Sequence, residues 1–123
     1  MTTNFNISEF ECKCGCVMPN DVKDNIIKLA INLQTIRDAI NKPIHITNAY
    51  RCESHNKAVG GVKSSQHLLG KAADLQVKGT KPKMLFQVIE HLIENGEVLQ
   101  GGLGLYKSFV HYDIRKSKAR WKI

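Results

Sequence analysis

The sequence predicts an α+β domain in which helices pack on one side of a small, largely antiparallel sheet. Two segments, residues 20–41 and 80–96, carry apolar residues three and four positions apart, as in amphipathic helices. Short segments of alternating apolar and polar residues lie between and after them, and the last two, 101–106 and 109–115, are spaced like a hairpin. A chain of 123 residues that is 42% hydrophobic is expected to form one domain over residues 1–123.

The N-terminal part is expected to form an irregular leader, the longest helix and a strand. The leader covers about residues 1–19, and three apolar side chains in it can dock on the domain: Phe5, Ile7 and Phe10. The helix begins at Asn20 or Asp21 and ends near Asn41. Its buried stripe is predicted to consist of Val22, Ile26, Leu29, Leu33, Ile36 and Ile40. A strand over residues 43–49 follows.

Between the two helices we expect a helical turn, a polar loop and a second strand. The turn covers Ser54–Val59, the loop covers residues 62–70 and carries His67, and the strand covers Asp74–Lys78. Because side chains alternate along a strand, Asp74 is expected on the face opposite the apolar residues of this strand. A side chain on that face can reach a cleft.

The C-terminal part is expected to form the second helix and the hairpin. Thr80 is predicted to cap the helix and Gly96 to end it. The hairpin is predicted to turn at Lys107–Ser108. In its second strand, His111 and Asp113 fall on the face opposite the apolar residues, as Asp74 does in the preceding strand.

Three of these polar residues form a candidate metal site: His67, Asp74 and His111. Two imidazoles and a carboxylate are ligand types of a catalytic zinc ion, and three protein ligands leave one position for water. Bound zinc lowers the pKa of that water from about 15.7 toward about 7 and polarises a carbonyl group. The sequence therefore predicts a metal-dependent hydrolase with one zinc ion.

Charge and hydropathy narrow the function classes. The formal net charge of +7 fits either an ordinary basic surface or attraction to a polyanion, such as nucleic acid or the anionic polymers of a bacterial wall. A modest basic cluster lies at residues 115–122. No recognition helix, RNA-binding aromatic motif or zinc-finger spacing is present, so we expect no nucleic-acid partner. No apolar run approaches the roughly 20 residues of a membrane span.

The chain contains four cysteines, three of them in a short run near the N-terminus: Cys12, Cys14, Cys16 and Cys52. The C-x-C-x-C run does not match the C-x2-C spacing of structural zinc ribbons, and no second pair follows it. We therefore expect reduced thiols, with a disulfide from the run to Cys52 as the alternative.

Several motifs resemble those of a known peptidase family. The segments 65–74, SQHLLGKAAD, and 109–113, FVHYD, resemble the zinc motif of the zinc D-alanyl-D-alanine carboxypeptidases and L-alanyl-D-glutamate endopeptidases. Residues 48–51, NAYR, resemble the stretch that precedes the first zinc ligand in that family. The opening at 10–16, FECKCGC, resembles that of compact phage-endolysin-type members. The resemblance implies the hedgehog/DD-peptidase fold over about residues 10–115.

The resemblance also implies roles for individual residues. It makes His67, Asp74 and His111 the zinc ligands and places Arg51 where it can hold a substrate carboxylate or an oxyanion. Ser65 is expected to order the loop or the substrate rather than act as a nucleophile, because no partnering base is evident. The implied substrate is a peptide bond in the stem or cross-link of bacterial peptidoglycan, cut by a carboxypeptidase or an endopeptidase.

The chain departs from this family at the general base. Many relatives carry an Asp or Glu a few residues before the last ligand, whereas residues 106–109 here read YKSF. Asp113, Glu53 and His55 are the candidate replacements, and metal-bound hydroxide acting without a base is the alternative. Asp113 is also expected either to orient a zinc ligand or to pair with Arg115. A non-catalytic, zinc-containing module of the same fold that binds peptidoglycan is the second interpretation.

The N-terminus and the size predict where the protein acts. The first ten residues, MTTNFNISEF, have neither a basic segment nor an apolar core, so they are not a secretion signal. We therefore expect the protein to be synthesised in a host cytoplasm and to act on the cell wall after release. The alternative is that the protein is virion-associated. We also expect a monomer.

Overall fold

The computed structural model describes residues 1–123 and contains three α-helices and a five-stranded sheet. Two short 3₁₀ turns, Ile7–Phe10 and Gln66–Leu69, complete the regular structure. The helices are α1 Asn20–Ile40, α2 Glu53–Ala58 and α3 Pro82–Glu94. The strands are β1 His45–Asn48, β2 Ala72–Gln76, β3 Gly102–Leu105, β4 Val110–Asp113 and β5 Ala119–Lys122.

The sheet is largely antiparallel, which confirms the predicted α+β class. Its strand order is β1-β2-β4-β3-β5, and only the pair β3 and β5 is parallel. The register places Asp74 of β2 directly opposite His111 of β4, and Leu75 opposite Val110. Because residues directly opposite one another share a face, the polar pair lies on one face of the sheet and the apolar pair on the other.

The apolar face of the sheet and the two long helices together enclose the core. Leu75 and Val110 are fully buried in one cluster with the apolar stripes of α1 and α3. The predicted stripe of α1 is confirmed except at its end, because five of its six residues are buried and Ile40 is half-buried. None of the helices has the length and apolar character that a membrane crossing requires.

Helix ends differ from the predicted caps by about one residue. Pro19 precedes α1 and Lys81 precedes α3, and neither helix has a hydrogen bond from a capping side chain. The prediction that Thr80 caps α3 is therefore wrong, because it assumed a side-chain cap where the chain simply enters in an extended conformation. At the other end Asn95 is the C-cap, and Gly96 follows it with a φ of 72°.

The second strand and the leader also differ in detail from the prediction. β2 begins at Ala72 instead of Asp74, because the residues before the carboxylate already pair with β4. In the leader, Phe5 and Phe10 are buried as predicted, whereas Ile7 is 38% exposed.

Strand β5 is absent from the sequence prediction, which treated residues 115–122 as basic surface. This strand pairs with β3 at the edge of the sheet, where charged side chains are common. Arg120 of β5 forms a two-point ion pair with Glu90 of α3, with both N–O distances 2.8 Å. The basic cluster thus includes an element of the sheet that also brings Trp121 to the polar face.

We expect Leu29→Ala to lower the free energy of unfolding by about 3 kcal/mol, because it leaves a cavity where α1 is fully buried. The matched control is Ile31→Ala on the same helix, which removes a side chain that is 57% exposed and should cost less than about 0.5 kcal/mol. Urea unfolding at one pH and one zinc concentration measures both values. Equal losses in the two variants would contradict the assigned core face.

Candidate metal centre

The structure brings together the three residues predicted to bind zinc. His67 lies in the short 3₁₀ turn before β2, Asp74 lies in β2, and His111 lies in β4. One ligand atom from each lies within 4.8 Å of the others, and all three residues are buried. Asp74 Oδ1 is 3.4 Å from His67 Nε2 and 3.1 Å from His111 Nδ1. Both imidazoles therefore approach the same carboxylate oxygen.

The outer ring nitrogens of the two histidines have their own hydrogen-bond partners. Nδ1 of His67 lies 2.6 Å from the carbonyl oxygen of Ala49, and Nε2 of His111 lies 2.7 Å from Oδ2 of Asp113. A carbonyl or a carboxylate only accepts, so each outer nitrogen carries the proton when the imidazole is neutral. The inner nitrogens then present lone pairs toward Asp74. This donor set fits a divalent metal ion such as zinc.

Asp113 is a positioning residue in this arrangement. It has no solvent exposure and accepts hydrogen bonds from the Gly102 backbone at 2.8 Å and from Arg115 at 2.7 and 2.8 Å, besides its contact with His111. Asp113 therefore contacts both partners considered for it, the candidate ligand His111 and Arg115. Its oxygens are occupied and it does not line the adjacent cleft, so the geometry argues against Asp113 as the general base.

Burial and hydrogen bonding set the protonation of the group. Burial alone would raise the pKa of Asp74, but hydrogen bonds from His111 and His67 outweigh it and hold that pKa below its ordinary value. Burial would lower the pKa of His111, but its contacts with Asp113 and Asp74 outweigh burial and raise that pKa above 6.5. The metal-free site therefore favours a protonated imidazole between two carboxylates.

A cleft of about 380 Å³ opens beside the three donors. Its lining includes Arg51 and Ser65, the two residues for which substrate contacts are predicted, and Nη2 of Arg51 donates to Oγ of Ser65 at 3.3 Å. Nε of Arg51 is buried without a hydrogen-bond partner. Sequence patterns did not indicate two aromatic lining residues, Tyr106 and Trp121, whose hydroxyl and indole N–H are hydrogen-bonded at 3.0 Å.

Trp121 reaches the cleft because its neighbour in the sheet has no side chain. Gly104 of β3 lies opposite Trp121 of β5, and a Cβ atom at this glycine would collide with the indole ring. The indole lies 5.0 Å from the His111 ring, measured between ring centroids. Trp121 and Tyr106 form an aromatic wall of the cleft. The only sequence signal for this wall was that the chain contains one tryptophan.

Comparison with known families agrees with this geometry. A family model described as Peptidase M15 matches residues 3–113, which is most of the chain and includes all three candidate ligands. The chain belongs to the peptidase M15 family. Peptidases of this family are typically zinc-dependent, in accord with the buried donor set. No curated protein sequence matches the chain significantly.

This M15 peptidase has no free carboxylate in its cleft. The lining contains one acidic residue, Asp74, which belongs to the candidate ligand set. Glu53 is exposed and, like His55, lies outside the lining. None of the three replacements proposed for the missing base is therefore placed in the cleft of this structure.

In protein freed of metal with a chelator, we expect the pKa of His111 to lie above 6.5. We expect this pKa to fall in Asp113→Asn, because the substitution replaces a negatively charged partner of the imidazole with a neutral amide. NMR titration of the imidazole Cε1–H resonances measures both values. The pKa of His111 is higher in the folded protein than in the unfolded chain, so protonation of the imidazole stabilises the metal-free fold. This stabilisation is complete below about pH 6.5 and is lost as the pH rises through the pKa of His111 in the folded protein. A His111 pKa below 6.5 would contradict the assigned contacts.

Proposed function

We propose that the protein is a zinc peptidase that hydrolyses a peptide bond in the stem peptide or cross-link of bacterial peptidoglycan. His67, Asp74 and His111 would hold one zinc ion. The observation that carries the proposal is the convergence of these three donors beside an open cleft, in a chain of the M15 family. Zinc at such a site supplies a water molecule of lowered pKa and polarises the carbonyl group that is attacked.

Arg51 is the group of this chain suited to hold negative charge in the cleft. Burial lowers the pKa of its guanidinium from 12.5, with the Asp74 charge acting in the opposite direction, and the group stays charged at neutral pH. Nε is buried and has no partner within the protein, so the terminal nitrogens of the guanidinium are the ones that can reach a substrate in the cleft. Paired hydrogen bonds from Arg51 suit a peptide carboxylate or the oxyanion that forms during hydrolysis.

Ser65 supports this arrangement and also faces the substrate. Its hydroxyl oxygen accepts from the backbone N–H of His67 at 3.1 Å and from Arg51 at 3.3 Å. The hydroxyl proton remains free to be donated to a substrate in the cleft. Ser65 therefore links the turn that carries the first candidate ligand to the arginine, and no base is positioned to make it a nucleophile.

Three aromatic residues also line the cleft. The rings of Tyr106 and Phe109 stack with centroids 4.3 Å apart, and both residues line the cleft with Trp121. Flat apolar surfaces of this kind exclude water and can pack against the methyl groups of alanine-rich peptides. Together with Arg51 and Arg115 in the lining and the net charge of +7, they suit an anionic peptide substrate.

The same substrate determines the proposed site of action. A peptidoglycan peptidase acts on the cell wall, so a role as an endolysin released from a host cytoplasm, or as a virion component, fits this function. The opening motif at residues 10–16 supports the endolysin role by resemblance. We propose that it acts as a monomer and either removes a terminal D-alanine or cuts an internal bond.

A second function is favoured by one observation. Apart from the candidate ligand Asp74, the cleft contains no carboxylate, and His67 and His111 are its only histidines. A protein that retains the metal and the substrate cleft but lacks a proton acceptor would bind peptidoglycan without cutting it.

We expect the zinc-loaded protein to release new products from purified peptidoglycan, and His67→Ala to release none, because it removes a metal ligand. Mass spectrometry of the digest identifies the bond. Loss of a single terminal D-alanine would identify a carboxypeptidase, and new amino termini at L-alanyl-D-glutamate or cross-link bonds would identify an endopeptidase. Uncut peptidoglycan, from a protein that contains zinc and retains peptidoglycan in a pull-down, would favour the binding module.

Arg51→Ala is expected to lower the initial rate of this digestion by about 100-fold or more, because it removes the donors proposed for the oxyanion or the carboxylate. Arg37→Ala is the matched control, since it removes an arginine from α1 outside the cleft and should leave the rate unchanged. Zinc content measured in both variants separates loss of metal from loss of charge stabilisation. A full rate in Arg51→Ala would show that the guanidinium plays no part in turnover.

A further inference from the structure

A second cluster of metal-ligand atoms lies outside the cleft and consists of all four cysteines: Cys12, Cys14, Cys16 and Cys52. Their sulfur atoms all lie within 4.8 Å of one another, and none forms a disulfide. The sulfur of Cys12 is 3.2 Å from that of Cys14 and 3.8 Å from that of Cys52. The sulfurs of Cys14 and Cys52 are 3.4 Å apart.

These separations are close to those of a tetrahedral metal site. Zinc–sulfur bonds of about 2.3 Å in tetrahedral geometry place neighbouring sulfurs about 3.8 Å apart. A disulfide would instead bring one pair to about 2.05 Å and draw it away from the others. Four sulfurs that are mutual neighbours therefore resemble a four-thiolate site more closely than a set of disulfides.

Backbone N–H groups favour negative charge on two of the sulfurs, those of Cys12 and Cys52. The N–H of Cys52 donates to the sulfur of Cys12, and the N–H of His55 donates to the sulfur of Cys52, each at 3.4 Å. Such hydrogen bonds orient thiolate ligands and stabilise their charge. Gly15, with a φ of 81°, provides the turn that returns the chain between Cys14 and Cys16. This turn explains why C-x-C-x-C spacing, unlike that of a zinc ribbon, still gathers its sulfurs.

We propose that Cys12, Cys14, Cys16 and Cys52 bind a structural zinc ion that is separate from the candidate catalytic site. Four thiols lose their protons to solvent as four metal–sulfur bonds form, and the completed coordination leaves no position for water or substrate. Soft thiolate ligands in tetrahedral geometry select zinc among the common divalent ions. The proposal does not depend on the proposed activity.

This ion would fasten the N-terminal leader to the region beside the cleft. Cys52 directly follows Arg51, whose backbone N–H donates to the carbonyl of His67 at 3.1 Å. On the other side, the carbonyl of Phe10 accepts from the N–H of Tyr50, also at 3.1 Å. The cluster thus joins residues 10–16 to the segment that carries Arg51, and its loss should loosen both.

The test is zinc content together with cobalt spectra of protein prepared under reducing conditions. We expect two zinc ions per chain in the wild type, and one each in Cys14→Ser/Cys16→Ser and in His67→Ala/His111→Ala. Cobalt in the wild type and in the histidine variant should give the near-ultraviolet thiolate-to-metal band and the intense visible bands of a tetrahedral site. The cysteine variant should lack the thiolate band.

Four results would overturn the proposal: equal zinc content in the wild type and the cysteine variant, no thiolate band in the wild type, iron in place of zinc, or disulfides found by mass spectrometry of alkylated protein. The wild-type spectrum answers the question even if the cysteine variant fails to fold. Failure of the catalytic proposal is distinguishable, because it would leave one zinc ion per chain with the thiolate band intact.

Discussion

The pairing of β2 with β4 is the constraint on which the rest of the structure depends. One register sets Asp74 opposite His111 on the cleft face and Leu75 opposite Val110 on the core face. A shift of one residue would turn the apolar pair to the cleft and bury the ligand pair beneath the helices. The free energy gained by burying the core therefore also stabilises the positions of two of the three candidate ligands.

Buried charge at the site is tolerated because charges of opposite sign alternate through it. Asp74, His111, Asp113 and Arg115 form one continuous series of contacts, each within 3.1 Å of the next. A buried carboxylate without such partners would be neutralised or expelled to solvent. The same series argues against Asp113 as a general base, since its two oxygens already accept hydrogen bonds from Gly102, His111 and Arg115.

The fold class and the candidate ligands were predictable because their signals are local. The stripe of α1, the hairpin, and the alternation that turns Asp74 and His111 from the core each occupy a short stretch of chain. The cysteine cluster, the wall at Trp121 and strand β5 depend instead on contacts between distant residues. Spacing along the chain does not predict these contacts. The left-handed conformation of Gly15 gathers the cysteines of the N-terminal run, and the parallel pairing of β5 with β3 brings Trp121 to the cleft.

The absence of a side chain at Gly104 separates two properties of the protein along its sequence. The candidate ligands all precede residue 114, whereas Trp121, which packs on this glycine, belongs to β5, beyond the stretch that the family model matches. Mutations in the C-terminal strand can therefore reshape the cleft without replacing any of the candidate ligands. In evolution or in directed selection, the shape of the cleft, and with it the choice of peptide, can change in this chain while the candidate ligands stay the same.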